Sequence, residues 1–286
     1  MEHQNNIKQI ASETEKLFSG AKIEWDKDKD SIFNETFATL ISEPETKVVG
    51  LRQNMLRLSI AASFLLLVGI GTFALLFSKT VYSPVGNHLT AELPDGSSVE
   101  MNAQTTLKYY PYRWFFQRNV EFSGEGYFSV EKGKKFTVTS TQGNTTVLGT
   151  TFNIFARDDS YRVFCKTGKV KVSNPSGEFV ILTPNQKTMI SAGVPSEPVF
   201  VPESESILSW RNNMFLYNAA PFTEVVREIE RQYGISITSE NKLSGTISVN
   251  FQKSPNVEKV LSMVCKPLGY SYVKKSDKQY KIIKNN

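Results

Sequence analysis

The sequence predicts a single-pass membrane protein: a short α-helical cytoplasmic tail, one membrane-crossing helix, a mainly-β exported domain and a small α+β domain. Three observations predict this. Leu58 to Phe77 is a run of twenty residues without a charge. Short β-like runs separated by turn residues fill the stretch from Leu89 to about Ile190. Past a Pro/Ser/Glu-rich boundary, apolar residues recur at helical spacing. The expected divisions are a tail over 1–56, a span over 57–78, an all-β domain over 79–194, a linker over 195–209 and an α+β domain over 210–286.

The tail contains two helical stripes. Ile7, Ile10, Thr14, Leu17 and Phe18 form the first, ended by Gly20. Ile32, Phe33, Thr36, Phe37, Leu40 and Ile41 form the second, opened by Asp30 or Ser31 and closed before Pro44. Trp25 lies between them in the charged stretch KIEWDKDKD. Helices of about a dozen residues bury too little surface to fold alone, since domains below roughly 40 residues usually need a staple or a partner. The stripes and Trp25 are therefore expected in another protein's groove. The alternatives are packing on the inner leaflet or against each other. An interfacial helix is usually Lys/Arg-rich on its polar face, and this tail is not basic.

The uncharged run would cover roughly 30 Å as a helix, the thickness of a bilayer's hydrocarbon core. A cleavable signal peptide is the rival reading. About fifty residues precede the run and no A-x-A-like site follows it, which argues against cleavage. Lys47, Arg52 and Arg57 precede the span, whereas Lys79 alone lies close behind it. The positive-inside rule then places the N-terminus in the cytoplasm, with the remainder exported.

Charge divides at the same place. Residues 1–57 hold 8 Lys/Arg against 10 Asp/Glu, net −2, and residues 78–286 hold 25 against 18, net +7. The basic excess lies outside, away from nucleic acid, and reads as a solvated surface. Both cysteines, Cys165 and Cys265, fall on the exported side. Each sits on an apolar pattern, at strand spacing and helix spacing respectively, which predicts buried free thiols. A disulfide is the alternative in an oxidising compartment.

In the β region, Pro94-Asp95-Gly96 separates two short strands. Gly124-Glu125-Gly126 and Lys132-Gly133 read as further breaks, and Thr167-Gly168 and Asn174-Pro175-Ser176-Gly177 as turns. Strands at such short intervals suit a sandwich, a roll or a solenoid-like stack. In the last domain, Phe222, Val225, Val226, Ile229 and Tyr233 mark one helix between Pro221 and Gly234. A second is expected from Ser254-Pro255, with Ser254 as cap. Strands GISIT, TISVNF, YSYVKK and YKIIK surround them.

Catalytic patterns are scarce. The only histidines are His3 and His88, so a His-rich metal site is excluded and any Ser-His-Asp triad would need His88 as its base. No nucleotide-binding loop, H-E-x-x-H or C-x-x-C occurs. Neither a cofactor nor a conventional enzyme activity is expected, and the function is placed in connecting two compartments.

Four pieces carry a family resemblance. They are LPDGSSVEMNAQTTLKY (Leu93–Tyr109), RNVEFSGEGYFSVEKGKKFTVTS (Arg118–Ser140), TTVLGTTFNIFA (Thr145–Ala156) and KTGKVKVSN after them. In this order they resemble the FecR family of bacterial anti-sigma regulators. SWRNNMFLYNAAPFTEVVREIERQYGISI resembles the C-terminal domain that accompanies FecR regions in Bacteroidota, itself similar to the signalling domain of TonB-dependent outer-membrane transducers. The resemblance implies a circuit. The exported domains would sense that signalling domain on a loaded transporter, and the tail would hold or release an extracytoplasmic-function sigma factor. Leu17, Phe18, Trp25, Phe33, Phe37 and Leu40 are then the candidate sigma-binding residues. The remaining partner would be membrane lipid, with no direct nucleic acid.

Some members of the family resemble proteins that cleave themselves between Gly and Thr in this motif. Thr150 would attack the Gly149 carbonyl, and a glycine removes the Cβ that crowds the attack. The alternative is a β-bulge glycine kept for shape. At the level of function, the alternative is a membrane-anchored envelope scaffold whose tail only tethers.

Overall fold

The computed structural model describes residues 2–20, 26–41, 51–202 and 205–285. The chain divides into two compact units, residues 1–66 and 67–286. The first contains α1 (Glu2–Phe18) and α2 (Lys29–Ile41). Helix α3 (Leu51–Leu76) follows. Its portion Met55–Leu76 is long and apolar enough to cross a membrane, with a mean hydropathy of 2.2 and none of it buried in protein. One such helix is compatible with a single-pass anchor. Arg57 lies inside α3, and Lys79 opens the first strand after it.

The mainly-β domain begins with β1 (Lys79–Ser83), β2 (Leu89–Glu92), β3 (Ser98–Met101) and β4 (Thr105–Tyr109). A short 3₁₀ turn, Pro111–Arg113, leads to β5 (Arg118–Ser129). Then come β6 (Phe136–Thr139), β7 (Asn144–Val147), β8 (Thr151–Arg157) and β9 (Ser160–Thr167). The last are β10 (Val170–Ser173), β11 (Phe179–Leu182), β12 (Gln186–Ser191), β13 (Val194–Pro195) and β14 (Val199–Phe200).

Strand β5 organises the domain. Its first half pairs with β4 and β6, and its second half with β3 and β8. Two groups of strands therefore share β5 and one core, to which Leu107, Val138 and Val172 contribute from one group and Met101, Phe128 and Phe152 from the other. The exchange occurs at Gly124, where φ is +127° and an added Cβ would lie 2.5 Å from the Thr105 hydroxyl. The expected break at Gly124-Glu125-Gly126 is thus a correction: the strand continues, and its partners change.

TTVLGTTFNIFA likewise is two strands, with Leu148, Gly149 and Thr150 as the link between β7 and β8. The expected linker is also structured, since β13 and β14 both pair with β12.

Helix α4 (Glu205–Leu208) and a 3₁₀ turn (Ser209–Asn212) lead into the α+β domain. It comprises β15 (Met214–Pro221), α5 (Phe222–Tyr233), β16 (Ser236–Ser239), β17 (Thr246–Gln252), α6 (Val257–Cys265), β18 (Tyr270–Ser276) and β19 (Gln279–Lys284). Pairs β15–β17 and β16–β19–β18 cover a core formed by Phe222, Val225, Ile229, Val260, Leu261 and Ile282. Gly234 ends α5 in the left-handed conformation, φ +66°. The cap of α6 is Asn256, whose side chain accepts from the Glu258 and Lys259 amides, rather than Ser254.

Candidate functional site

Among the described residues, most apolar side chains of the tail helices are exposed, with Ile32 half-buried. Leu17 and Phe18 at the end of α1 are 77% and 76% exposed, and Phe33, Phe37 and Leu40 on α2 are 56%, 44% and 74% exposed. The Phe33 and Phe37 rings, one helical turn apart, stack at 4.8 Å. Asp28 starts α2 by accepting the Ser31 and Ile32 amides, and Lys27 pairs with Glu35 at 2.7 Å. Such contacts position the helix without covering Phe33 or Phe37. Trp25 and the Arg52 side chain lie outside the described residues.

The Gly149-Thr150 link is tightly enclosed. Gly149 has φ +150°, and an added Cβ would sit 2.7 Å from the Lys132 Cα, so the backbone approach alone requires glycine. Leu148 O accepts the Gly133 amide and Thr150 O accepts the Val130 amide, both at 2.9 Å. The Thr150 hydroxyl is buried with no hydrogen-bond partner. Its neighbour Thr151 pairs with Thr167 through hydroxyls 2.7 Å apart.

A third site, absent from the sequence reading, is a polar seam between the β domain and the α+β domain. Helix α5 buries its apolar face in its own domain and turns Glu224, Arg227, Glu228, Arg231 and Gln232 toward the other. Glu224 accepts both guanidinium arms of Arg162 on β9, at 2.7 and 3.2 Å. Arg227 reaches Asp158 at 3.2 Å, and Arg231 holds Glu228 at 2.9 Å. Asn102, fully buried, donates to Glu125 at 2.9 Å and to Glu228 at 3.2 Å, and accepts from Gln232 at 2.7 Å. Just before β15, Arg211 forks onto Glu100 at 2.6 and 2.8 Å. The Trp210 indole donates to Asn153 at 3.3 Å and meets His88 edge-on at 5.4 Å. Lys253 donates to Gly86 O and to Gln232, both at 2.9 Å. A cleft of about 670 Å³ opens along this seam, walled partly by Arg162, Trp210, Tyr217 and Glu224.

Burial tunes the titratable groups here. Desolvation, reinforced by the nearby Glu228 charge, raises the Glu125 carboxyl to about 6. Desolvation and then the Lys253 charge lower His88, so the imidazole is more readily neutral. Desolvation also lowers Lys253. Cys165 and Cys265 are free and buried, and desolvation pushes each thiol up to about 11. Among the described residues no three His, Cys, Asp or Glu side chains converge as a metal site.

No curated protein is similar enough to the chain to count as a match. Two crystal structures of a "putative anti-sigma factor" from Parabacteroides distasonis ATCC 8503 are similar to it. Each shows 26% identity and a TM-score of 0.66, and the alignment covers 73% of this chain and 100% of that one. Residues 79–171 match the model described as FecR protein, and residues 214–282 match the model described as FecR, C-terminal. The seam just described therefore joins two named modules, and the chain carries a FecR domain followed by a FecR C-terminal domain.

Proposed function

We propose that the chain is a membrane-anchored anti-sigma regulator of FecR type. The observation that carries the reading is the exposure of Leu17, Phe18, Phe33, Phe37 and Leu40 on two tail helices of a chain that also carries both FecR modules. Similarity to the Parabacteroides distasonis protein supports it. In this reading α3 spans the inner membrane with the tail in the cytoplasm, and the tail binds an extracytoplasmic-function sigma factor. The FecR C-terminal domain receives the signal from a TonB-dependent outer-membrane transporter and passes it through the α5 seam. The ion pairs and hydrogen bonds of the seam support that relay, because they couple one module to the other.

The test is co-purification of the full chain from membranes with the sigma factor encoded nearest its gene, alongside transcription by that factor. Binding with repression is expected. Replacing Phe33 and Phe37 by Ala should weaken binding by roughly thirtyfold for each loss of about 2 kcal/mol, typical of an aromatic anchor. Retention of the chain in the envelope without binding to any sigma factor would leave only a scaffold.

A second reading attaches to Gly149-Thr150, favoured by the buried, unpartnered Thr150 hydroxyl next to a glycine at φ +150°. In self-cleavage the Thr150 oxygen would bond to the Gly149 carbonyl carbon while the peptide C–N bond breaks. The hydroxyl proton would pass to the freed amine, and water would hydrolyse the ester. A blot of the full chain should then show a membrane fragment ending at Gly149 that disappears in Thr150→Ala and persists in Thr150→Ser.

A further inference from the structure

The turn that leads from β4 into β5 presents aromatic side chains beside the end of the apolar helix. The Arg113 side chain donates from Nε to the Leu75 carbonyl at the last turn of α3. That carbonyl is among those that a helix end leaves without an intrahelical partner, and a cation there also suits the helix dipole. Tyr112 packs on Phe77, with ring centroids 5.7 Å apart. These two contacts fix the turn at the level where the apolar helix ends.

The turn is built rather than loose. The Phe116 and Gln117 amides both donate to Arg113 O at 2.9 Å. Trp114 is 6% exposed and packs on Tyr109 and Phe136. Yet the next two residues, Phe115 and Phe116, are 77% and 74% exposed. The Lys134 ammonium lies 5.0 Å from the Phe115 ring, and Lys79 is exposed at the start of β1. Exposed aromatic rings with cations on the same turn and neighbouring strand, held at a helix end, match the composition of a membrane–water boundary.

We propose that Phe115 and Phe116 insert into the outer boundary of the bilayer that α3 crosses, with Arg113, Lys134 and Lys79 at the lipid headgroups. This rests on the reading of α3 as a span. The span Met55–Leu76 would cover about 33 Å, which puts Leu75 at the far edge of the hydrocarbon layer and the turn at the same depth. The anchor fixes the orientation of the FecR domain against the membrane, so that the domain cannot swing freely on one strand.

The experiment uses the full chain in vesicles of phosphatidylcholine with phosphatidylglycerol, spin-labelled at one cysteine. Gln117→Cys keeps both phenylalanines, Ser176→Cys reports an exposed turn, and Leu66→Cys reports the span. The native thiols are buried and protected from labelling in the folded protein. The expected result is a several-fold higher oxygen-to-nickel accessibility ratio at 117 than at 176. Adding Phe115→Ser and Phe116→Ser should return position 117 to the value at 176. A water-like label at 117 with a lipid-like label at 66 would overturn the anchor and leave the span. Water-like labels at both would overturn the span and the anchor with it. A label at 117 shielded from both reagents would mean that protein covers the patch, and would equally overturn a lipid anchor.

Discussion

Replacing Glu125 by Gln isolates what the seam's charge costs. Glu125 follows Gly124 on β5 and accepts from Asn102 at 2.9 Å and from Asn153 at 3.4 Å. The same Asn102 amide donates to Glu228, which brings a second, buried carboxylate to the same amide. Arg157 and Arg162 favour the charge, but burial and Glu228 outweigh them, and the carboxyl rises from 4.5 to about 6. That rise corresponds to roughly 2 kcal/mol of cost when the group is ionised. The folded state holds this proton more tightly than the unfolded chain does. Its contribution is therefore fully present below about 4.5 and lost as pH climbs through about 6.

Glu125→Gln keeps a carbonyl acceptor for Asn102 or Asn153 and removes the charge. At pH 7.5 the variant should be more stable by up to about 2 kcal/mol, a rise of about 4 to 8 °C in Tm for a folded portion of this size. Near pH 4 the difference should vanish. The assay is thermal unfolding of both proteins in detergent across that range. A variant that loses stability at pH 7.5, or a difference independent of pH, would show that hydrogen bonding to the carboxylate outweighs its burial and would refute this account.

Other substitutions separate packing from seam. Gly124→Ala should destabilise the β domain by several kcal/mol, since both φ and the Thr105 contact oppose a Cβ; chemical unfolding checks it. Trp210→Ala should cost about 3 to 5 kcal/mol if its burial resembles that of a core aromatic, and limited proteolysis should then release the FecR C-terminal domain. Arg162→Ala leaves Glu224 without its fork and should speed cleavage in the same assay, with an effect that shrinks at high salt. Cys165 and Cys265, held near 11, should resist alkylation in the folded protein and both react after unfolding.

How much of this was legible depends on which partner each residue meets. The apolar face of α5 follows directly from the spacing of Phe222, Val225, Val226 and Ile229, because burial against its own domain depends on local periodicity. The opposite face does not. Glu224, Arg227, Glu228 and Arg231 read as a solvated charged surface, and Glu228 with Arg231 even forms the local pair that such a reading predicts. What makes the face an interface is Asp158 and Arg162 on a hairpin more than sixty residues earlier, and no local pattern records that pairing. Gly124 fails for the same reason. A glycine pair in a strand-like run signals a break, whereas here the strand persists because new neighbours, β3 and β8, take over from β4 and β6. Strand β15 lacks a regular alternation, because Asn218-Ala219 interrupts its register, with Ala219 at φ +49°. The tail is the opposite case. Its stripes are as legible as those of any helix, and Leu17, Phe18, Phe33, Phe37 and Leu40 stay exposed, as the proposed sigma-factor groove requires. Local periodicity is enough to show such a stripe, whereas a seam such as that of α5 needs the distant partner as well.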